Sequence, residues 1–159
     1  MSYLRTQITG RIKTMLGQIT VAGGYRTDIG STINVGLLRG NPDEVPSIFV
    51  VPGSESGTSK YGESLTEAKY SIVGAVNRNE TTVDYSESDA EWAIIDAMIA
   101  DIRQIMEGRD TTLEGLTQGI SYQGANPQYH EEAKEIASVE VNYLVKFSIA
   151  RGDPESAPS

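Results

Sequence analysis

From Val139 to Ile149 the chain alternates strictly: Val139, Val141, Tyr143, Val145, Phe147 and Ile149 fall on one face, and Ser138, Glu140, Asn142, Lys146 and Ser148 on the other. A period of two is the mark of a β-strand with one buried side. At the other end, Leu4, Ile8, Ile12, Leu16 and Ile19 recur every three or four positions between Arg5, Gln7, Arg11, Lys13 and Gln18. That spacing predicts an amphipathic helix over 3–19, stopped by Gly23 and Gly24. A first strand is expected around Thr32 to Leu38. After the turn between Pro42 and Pro46, Ser47 to Val51 reads as a second, central strand closed by Pro52-Gly53. Gly53 to Gly62 (GSESGTSKYG) has little apolar content and is expected to be a mobile loop.

Ala68 to Val76 predicts a third strand, with Tyr70, Ile72 and Val76 on one side and Lys69, Ser71 and Val73 on the other. A second helix should open at Asp84 to Asp89, with Ser88 and Glu91 as a capping box. Its buried stripe is expected to be Trp92, Ile95, Met98 or Ile99, Ile102 and Ile105, ending at Gly108. Leu113, Leu116, Ile120 and Tyr122 suggest a fourth strand, with Gly115 and Gly119 marking a bulge or a close approach. The polar stretch Gln123 to Glu132 connects it to the last strand. Helix, two or three strands, helix, two strands is an α+β order. Both helices need an apolar surface, so the economical fold is two-layered: an antiparallel or mixed sheet of four to five strands with both helices on one face. The other face would carry Lys69, Ser71, Glu140, Asn142 and Lys146. A single domain over 1–150 is expected, followed by a disordered tail, 151–159.

The 159 residues suffice for one core, so neither a metal nor a disulfide is needed to fold it. There is no cysteine and one histidine, His130, which removes disulfides, thiolate ligands and a cysteine nucleophile together. Thirteen Lys and Arg stand against 22 Asp and Glu, a net charge of −9. Wrapping of nucleic acid is thereby disfavoured, because affinity for phosphate comes mainly from Lys and Arg. No apolar run approaches the ~20 residues that span a bilayer, and residues 1–19 lack the apolar centre of a signal peptide. No membrane partner is expected.

Candidate chemistry is sparse. His130 with Glu131 and Glu132, or Asp96, Asp101 and Glu107 on the second helix, supply metal-ligand types, but nothing sets a ligand spacing, and a solvated surface is the simpler reading. The Gly53 to Gly62 loop lacks the phosphate-binding order Gly-x-x-x-x-Gly-Lys followed by Ser or Thr. Asp84, Glu87, Asp89 and Glu91 suit a helix start by charge alone. The letters Arg151-Gly152-Asp153 and Asn79-Glu80-Thr81 match an adhesion tripeptide and a glycosylation sequon without supporting context. Trp92 reads as core. Arg26 and Asp28, at alternate positions of an extended segment, share a face and could pair with each other or with a neighbouring subunit.

The segment Gly24-Tyr25-Arg26-Thr27-Asp28-Ile29-Gly30 follows the first helix. It stands with the Pro46-Ser47-Ile48-Phe49-Val50-Val51 strand, the Asp101-Ile102 helix and the final strand Val139-Glu140-Val141-Asn142-Tyr143-Leu144-Val145. This order resembles the tail terminator, or tail completion, proteins of long-tailed bacteriophages, a family similar to the terminator protein U of phage lambda. The resemblance runs over roughly residues 3 to 150. It implies a small α+β subunit of a hexameric ring that caps the tail tube protein, stops tube growth and offers a surface to the head-tail connector or neck protein. DNA would pass through the ring without specific binding. The resemblance places the protein in the virion tail or neck, and in the host cytoplasm during assembly, with no catalytic residue, no cofactor and no metal. Candidate subunit or tube contacts are Arg26, Asp28, Ser56, Lys60, Tyr61, Gln128 and Tyr129. The alternatives are a head-to-tail joining protein of the same virion or, in another class, a small α+β enzyme or ligand-binding domain with its site at Gly53 to Gly62.

Overall fold

The computed structural model describes residues 3–36, 46–60, 62–77, 90–108, 112, 113, 115–128, 136–150 and 152. Helix α1 spans Leu4–Leu16, and a single 3-10 turn at Ile29–Ser31 leads into strand β1, Ile33–Val35. Strands β2 (Ser47–Lys60) and β3 (Glu63–Asn77) precede helix α2 (Ala90–Glu107), and β4 (Gly119–Gln128) and β5 (Ile136–Ala150) complete the chain. The sheet order is β1-β2-β3-β5-β4. β1 runs parallel to β2 and every other pairing is antiparallel, so the sheet is mixed. The expected α+β, two-layer architecture is the one observed.

Leu4, Ile8, Ile12 and Leu16 of α1 are buried, as are Ile94, Ile95, Met98, Ile102, Ile105 and Met106 of α2. They share a core cluster with Ile48 and Val50 of β2, Tyr70 and Ile72 of β3, and Val139, Val141, Tyr143 and Val145 of β5. Register explains the choice of face. Val50 stands beside Ile72, which stands beside Val141, and alternate positions of each strand point to the same side. Gly74 lies on this side too, where an added Cβ would meet Met98 Sδ at 3.2 Å and Ile102 at 3.5 Å. Both helices therefore pack on one face. The other carries Lys69, Ser71, Glu140, Asn142 and Lys146, with Ser71 Oγ donating to Asn142 Oδ1 at 2.8 Å and Lys146 Nζ lying 3.7 Å from Glu67.

Several boundaries differ from expectation for identifiable reasons. Gly53 to Lys60 is strand and not loop: β2 continues to Lys60 and β3 begins at Glu63, joined in register from Glu55↔Ala68 to Lys60↔Glu63. Its backbone is satisfied by the ladder, which asks little of the side chains. Pro52 does not end β2, because a register shift between Pro52 and Glu55 absorbs it and the partner on its other side, β1, stops at Val35, opposite Val50. The fourth strand begins later than the apolar residues suggest. Leu113 and Leu116 lie in turns, Leu113 with φ of 50°, and β4 takes in Gln123 to Gln128 with its irregularity between Tyr122 and Gly124. Helix α1 stops at Leu16 and not at Ile19, although Ile19 is buried. Trp92, expected in the core, is 58% exposed, and Ile94 with Ile95 takes the buried side of that turn. The capping box at Ser88 and the tail after Gly152 lie outside the described residues. Among the described residues, no helix is long and apolar enough to cross a membrane.

Candidate functional site

The segment from Gly24 to Gly30 is a joint between the two helices. Gly24 has φ of 93°, a conformation glycine adopts without strain. Next, Asp101, on the buried stripe of α2 and fully enclosed, collects the donors of the segment. Its Oδ2 accepts from Thr27 N at 2.8 Å and Thr27 Oγ1 at 2.7 Å. Its Oδ1 accepts from Arg26 N at 3.0 Å and Arg26 Nη1 at 3.1 Å. A buried carboxylate is tolerable here because backbone amides, a hydroxyl and a guanidinium replace its water. Asp28 turns the other way, its Oδ1 accepting from Val21 N at 2.8 Å. Gly30 then lies against the end of α1, donating to Ile19 O at 2.9 Å. A Cβ at Gly30 would stand 2.4 Å from Leu16 O and 2.6 Å from Ile19 O, so no larger residue fits without moving backbone.

Arg26 and Asp28 therefore do not pair with each other. The Arg26 guanidinium holds Asp101 and Gln104, with about half of its side chain, 53%, still exposed. Sequence reasoning missed the partner, although the signal was present: Asp101 falls in the apolar stripe between Met98 and Ile105, where a lone carboxylate must find donors.

The second feature is the arm formed by β2 after its bulge and the start of β3. Ser56, Gly57, Thr58 and Ser59 are exposed, so both faces of the outer strand meet solvent. Arg5 of α1 ties down the base of the arm, with Nη1 donating to Glu55 Oε2 at 3.1 Å and Nη2 to Gly53 O. The same guanidinium lies 5.8 Å from the centre of the Tyr70 ring, and Tyr70 Oη shares a hydrogen with Thr9 Oγ1 at 2.8 Å. An open groove of about 620 Å³ runs beside this clamp, lined by Tyr3, Arg5, Thr9, Pro52, Phe147 and Ile149 among others.

At the far side of α2, the Arg103 guanidinium sits 3.8 Å from the centre of the Tyr122 ring and pairs with Glu107 at 2.8 Å, which raises its pKa. Tyr143 lies edge-on to Tyr122 at 5.9 Å. Its buried hydroxyl has no hydrogen-bond partner among the described residues, and burial, with the Glu107 carboxylate next in effect, drives its pKa well above the ordinary phenol value.

The candidate contact residues do not converge. Ser56 and Lys60 belong to the arm, beside Glu67 and Glu63. Gln128 ends β4 opposite Ser138, whereas the arm faces the stretch of β5 from Lys146 to Ala150, so the two lie at opposite ends of the sheet. Tyr61 and Tyr129, like His130 with its two glutamates, are outside the described residues. Among the described residues, no three side chains of the metal-ligating kinds gather into a group.

No protein-family profile matches the chain. No curated protein sequence matches it either. Among solved structures, a chain from the virion of a native gene transfer agent (GTA) particle is similar at 12% identity over 87% of this chain and 92% of that one, with a TM-score of 0.49.

Proposed function

We propose that the protein is a structural subunit of a phage-type virion that acts by assembly and not by catalysis. It closes into a ring that caps the tail tube, stops tube growth and presents a surface to the head connector. The observation that carries this reading is the β2–β3 arm. Its outer strand is exposed from Ser56 to Ser59 and its base is braced by Arg5, which suits contact with something outside the subunit. Ser56 and Lys60 are on that arm and are the best placed of the candidate contacts. Helices on one face suit a ring, because the thicker layer takes the larger radius and the polar face turns to the channel. Among the described residues that face carries Glu63, Glu67 and Glu140 against Lys69 and Lys146, with Lys146 near Glu67. So balanced a lining offers no cationic track to hold phosphates and suits DNA passage without specific binding.

Electron microscopy of particles made with this gene disrupted tests the reading. Overlong tails support termination. Tails of normal length that stay detached from heads point to a head-to-tail joining protein instead, and normal tails joined to heads reject both. The groove beside Arg5 favours a second reading, a small-ligand domain. Thermal-shift screening addresses it: a genuine ligand raises the melting temperature of the parent and loses its effect in Arg5→Ala.

A further inference from the structure

The sheet ends in two unequal edges. Among the described residues, β4 has no strand on its outer side and β2 beyond Val50 pairs only with β3. Every second residue of such an edge points its N–H and C=O outward, a template for another strand. Folded chains guard such edges with charge, proline or a bulge. The ten residues of β4, GISYQGANPQ, contain no charged side chain. Its second half is guarded by the irregularity at Tyr122/Gly124 and by Pro127, which leaves Gly119 to Tyr122 unguarded. On the arm, Glu55 is held by Arg5 and Gly53 O is taken by the same guanidinium, so Ser56 to Ser59 carry no charge, and Lys60, the last residue of the strand, is the one charged residue of the free edge beyond Glu55.

Direction and facing agree. β2 and β5 run one way, β3 and β4 the other, so the two open edges of one subunit are antiparallel. A second copy rotated about an axis inclined to the strands, and so displaced along them by the four residues that separate Ser148, level with Thr58, from Leu144, level with Ser121, offers its β4 antiparallel to β2, with all helices on the same side. Thr58 pairs with Leu65 and Ser121 with Leu144, both on the polar face. Setting Thr58 opposite Ser121 also sets Gly57 opposite Tyr122 and Ser59 opposite Ile120, both pairs on the helix face.

We infer that the unguarded half of β4, Gly119 to Tyr122, adds antiparallel to the free β2 edge, Gly57 to Lys60, of a second copy of this chain. The contact is heterologous, so it propagates from copy to copy and closes only as a ring. This rests on the ring reading above and names the surface that makes the ring. A two-fold β2–β2 contact would end at a dimer and leave both β4 edges open. From the free β2 edge to the free β4 edge each copy contributes four strands, about 19 Å of circumference at roughly 4.8 Å per strand. Six copies then close a wall about 37 Å across at the backbone, before strand tilt widens it.

The chain has no cysteine, so paired cysteines report the contact cleanly. In the full chain, Thr58→Cys with Ser121→Cys, and Ser56→Cys with Ser121→Cys for a register shifted by two, place both thiols on the polar face. Ser59→Cys with Ser121→Cys places them on opposite faces. The expected result after mild oxidation is a ladder of linked multimers from one of the first two variants and none from the third or from any single cysteine. Equal ladders from all three, or dimers from Thr58→Cys alone, overturn the inference. Closed rings in native mass spectrometry without a ladder overturn it and leave the ring reading standing. A ladder without closed rings supports the edge contact and removes the ring. Neither ladder nor ring overturns the edge contact, and the tail phenotype then decides the ring reading separately.

Discussion

Replacing Asp101 by Asn keeps its volume and removes its charge, which isolates what the carboxylate does at the joint. Both oxygens now face donors: Thr27 N and Oγ1 at 2.8 and 2.7 Å on one side, Arg26 N and Nη1 at 3.0 and 3.1 Å on the other. An amide can keep one side but must turn its NH2 toward the donors of the other. Hydrogen bonds to a charged acceptor are lost on that side, at about 1.5–3 kcal/mol each before relaxation, and although a hydroxyl such as Thr27 Oγ1 can turn to accept from the new NH2, a backbone N–H cannot, so at least one donor stays unmet in a fully buried site. The expected loss is about 3 kcal/mol, a large share of the ~5–15 kcal/mol that holds an ordinary domain together. Arg26→Ala should behave differently. Its guanidinium is 53% exposed, and removing an exposed partner is worth about 0–1 kcal/mol, while the two backbone amides go on serving Asp101. Urea unfolding followed by circular dichroism reads both. With an m-value of about 2 kcal/mol per molar, Asp101→Asn should lower the midpoint by about 1.5 M and Arg26→Ala by no more than about 0.5 M. Equal effects of the two, or an Asp101→Asn midpoint within 0.3 M of the parent on the same ~2 kcal/mol per molar scale, would falsify the view that the buried carboxylate anchors the segment through its main chain.

Gly30→Ala puts a methyl group 2.4 Å from Leu16 O; a loss of about 2 kcal/mol or more is expected from the forced backbone shift, read as a lower melting temperature, and an unchanged melt would mean α1 yields freely there. Tyr143 holds its proton in the fold where an unfolded tyrosine, with a pKa of about 10, gives it up. Above that pH the unfolded state binds fewer protons, so stability should fall as pH rises through about 10 and upward. Tyr143→Phe should flatten that alkaline limb in urea midpoints compared at mild and high pH. Because the hydroxyl it removes has no partner among the described residues, it should also match or exceed the parent by up to about 1 kcal/mol at neutral pH. Arg5→Ala should leave the global unfolding midpoint nearly unchanged while hydrogen exchange quickens at residues 53–66, since Arg5 holds Gly53 and Glu55; uniform exchange along the chain would remove its role as a clamp.

Periodicity made the layers legible and left the arm invisible. Apolar alternation in Ala68 to Val76 and Val139 to Ile149, and the three-to-four spacing in both helices, reflect burial on one side, and each corresponds to an element of the structure. The polar face, Lys69, Ser71, Glu140, Asn142 and Lys146, followed from the same alternation. Where strands bury nothing, as from Ser56 to Ser59, the hydrogen-bond ladder alone makes the strand, and side-chain pattern carries no trace of it. Leu113 and Leu116 misled for the opposite reason: they bury apolar surface from turns, so hydrophobicity without a strand looked like one. At the joint the hydroxyl of Thr27 was visible as a letter, but its partner, Asp101, lies 74 residues away in sequence, a distance no local pattern spans. Trp92 followed the helical phase of its apolar neighbours and still points to solvent, because Ile94 and Ile95 occupy the side facing the sheet.

The arm is held by main-chain pairing and one arginine, which makes it tolerant in a particular sense. A strand whose side chains bury little can exchange serine for threonine, or glutamate for lysine, without changing where its amides and carbonyls point. Natural variation can therefore rewrite the outer surface of this protein freely while its outline persists. Gly30 and Asp101 allow no such freedom, since one is fixed by the closeness of a neighbouring backbone and the other by four donors converging on it. A relative with few letters in common would be recognised at those two hidden positions before it was recognised anywhere on the surface that meets its partners.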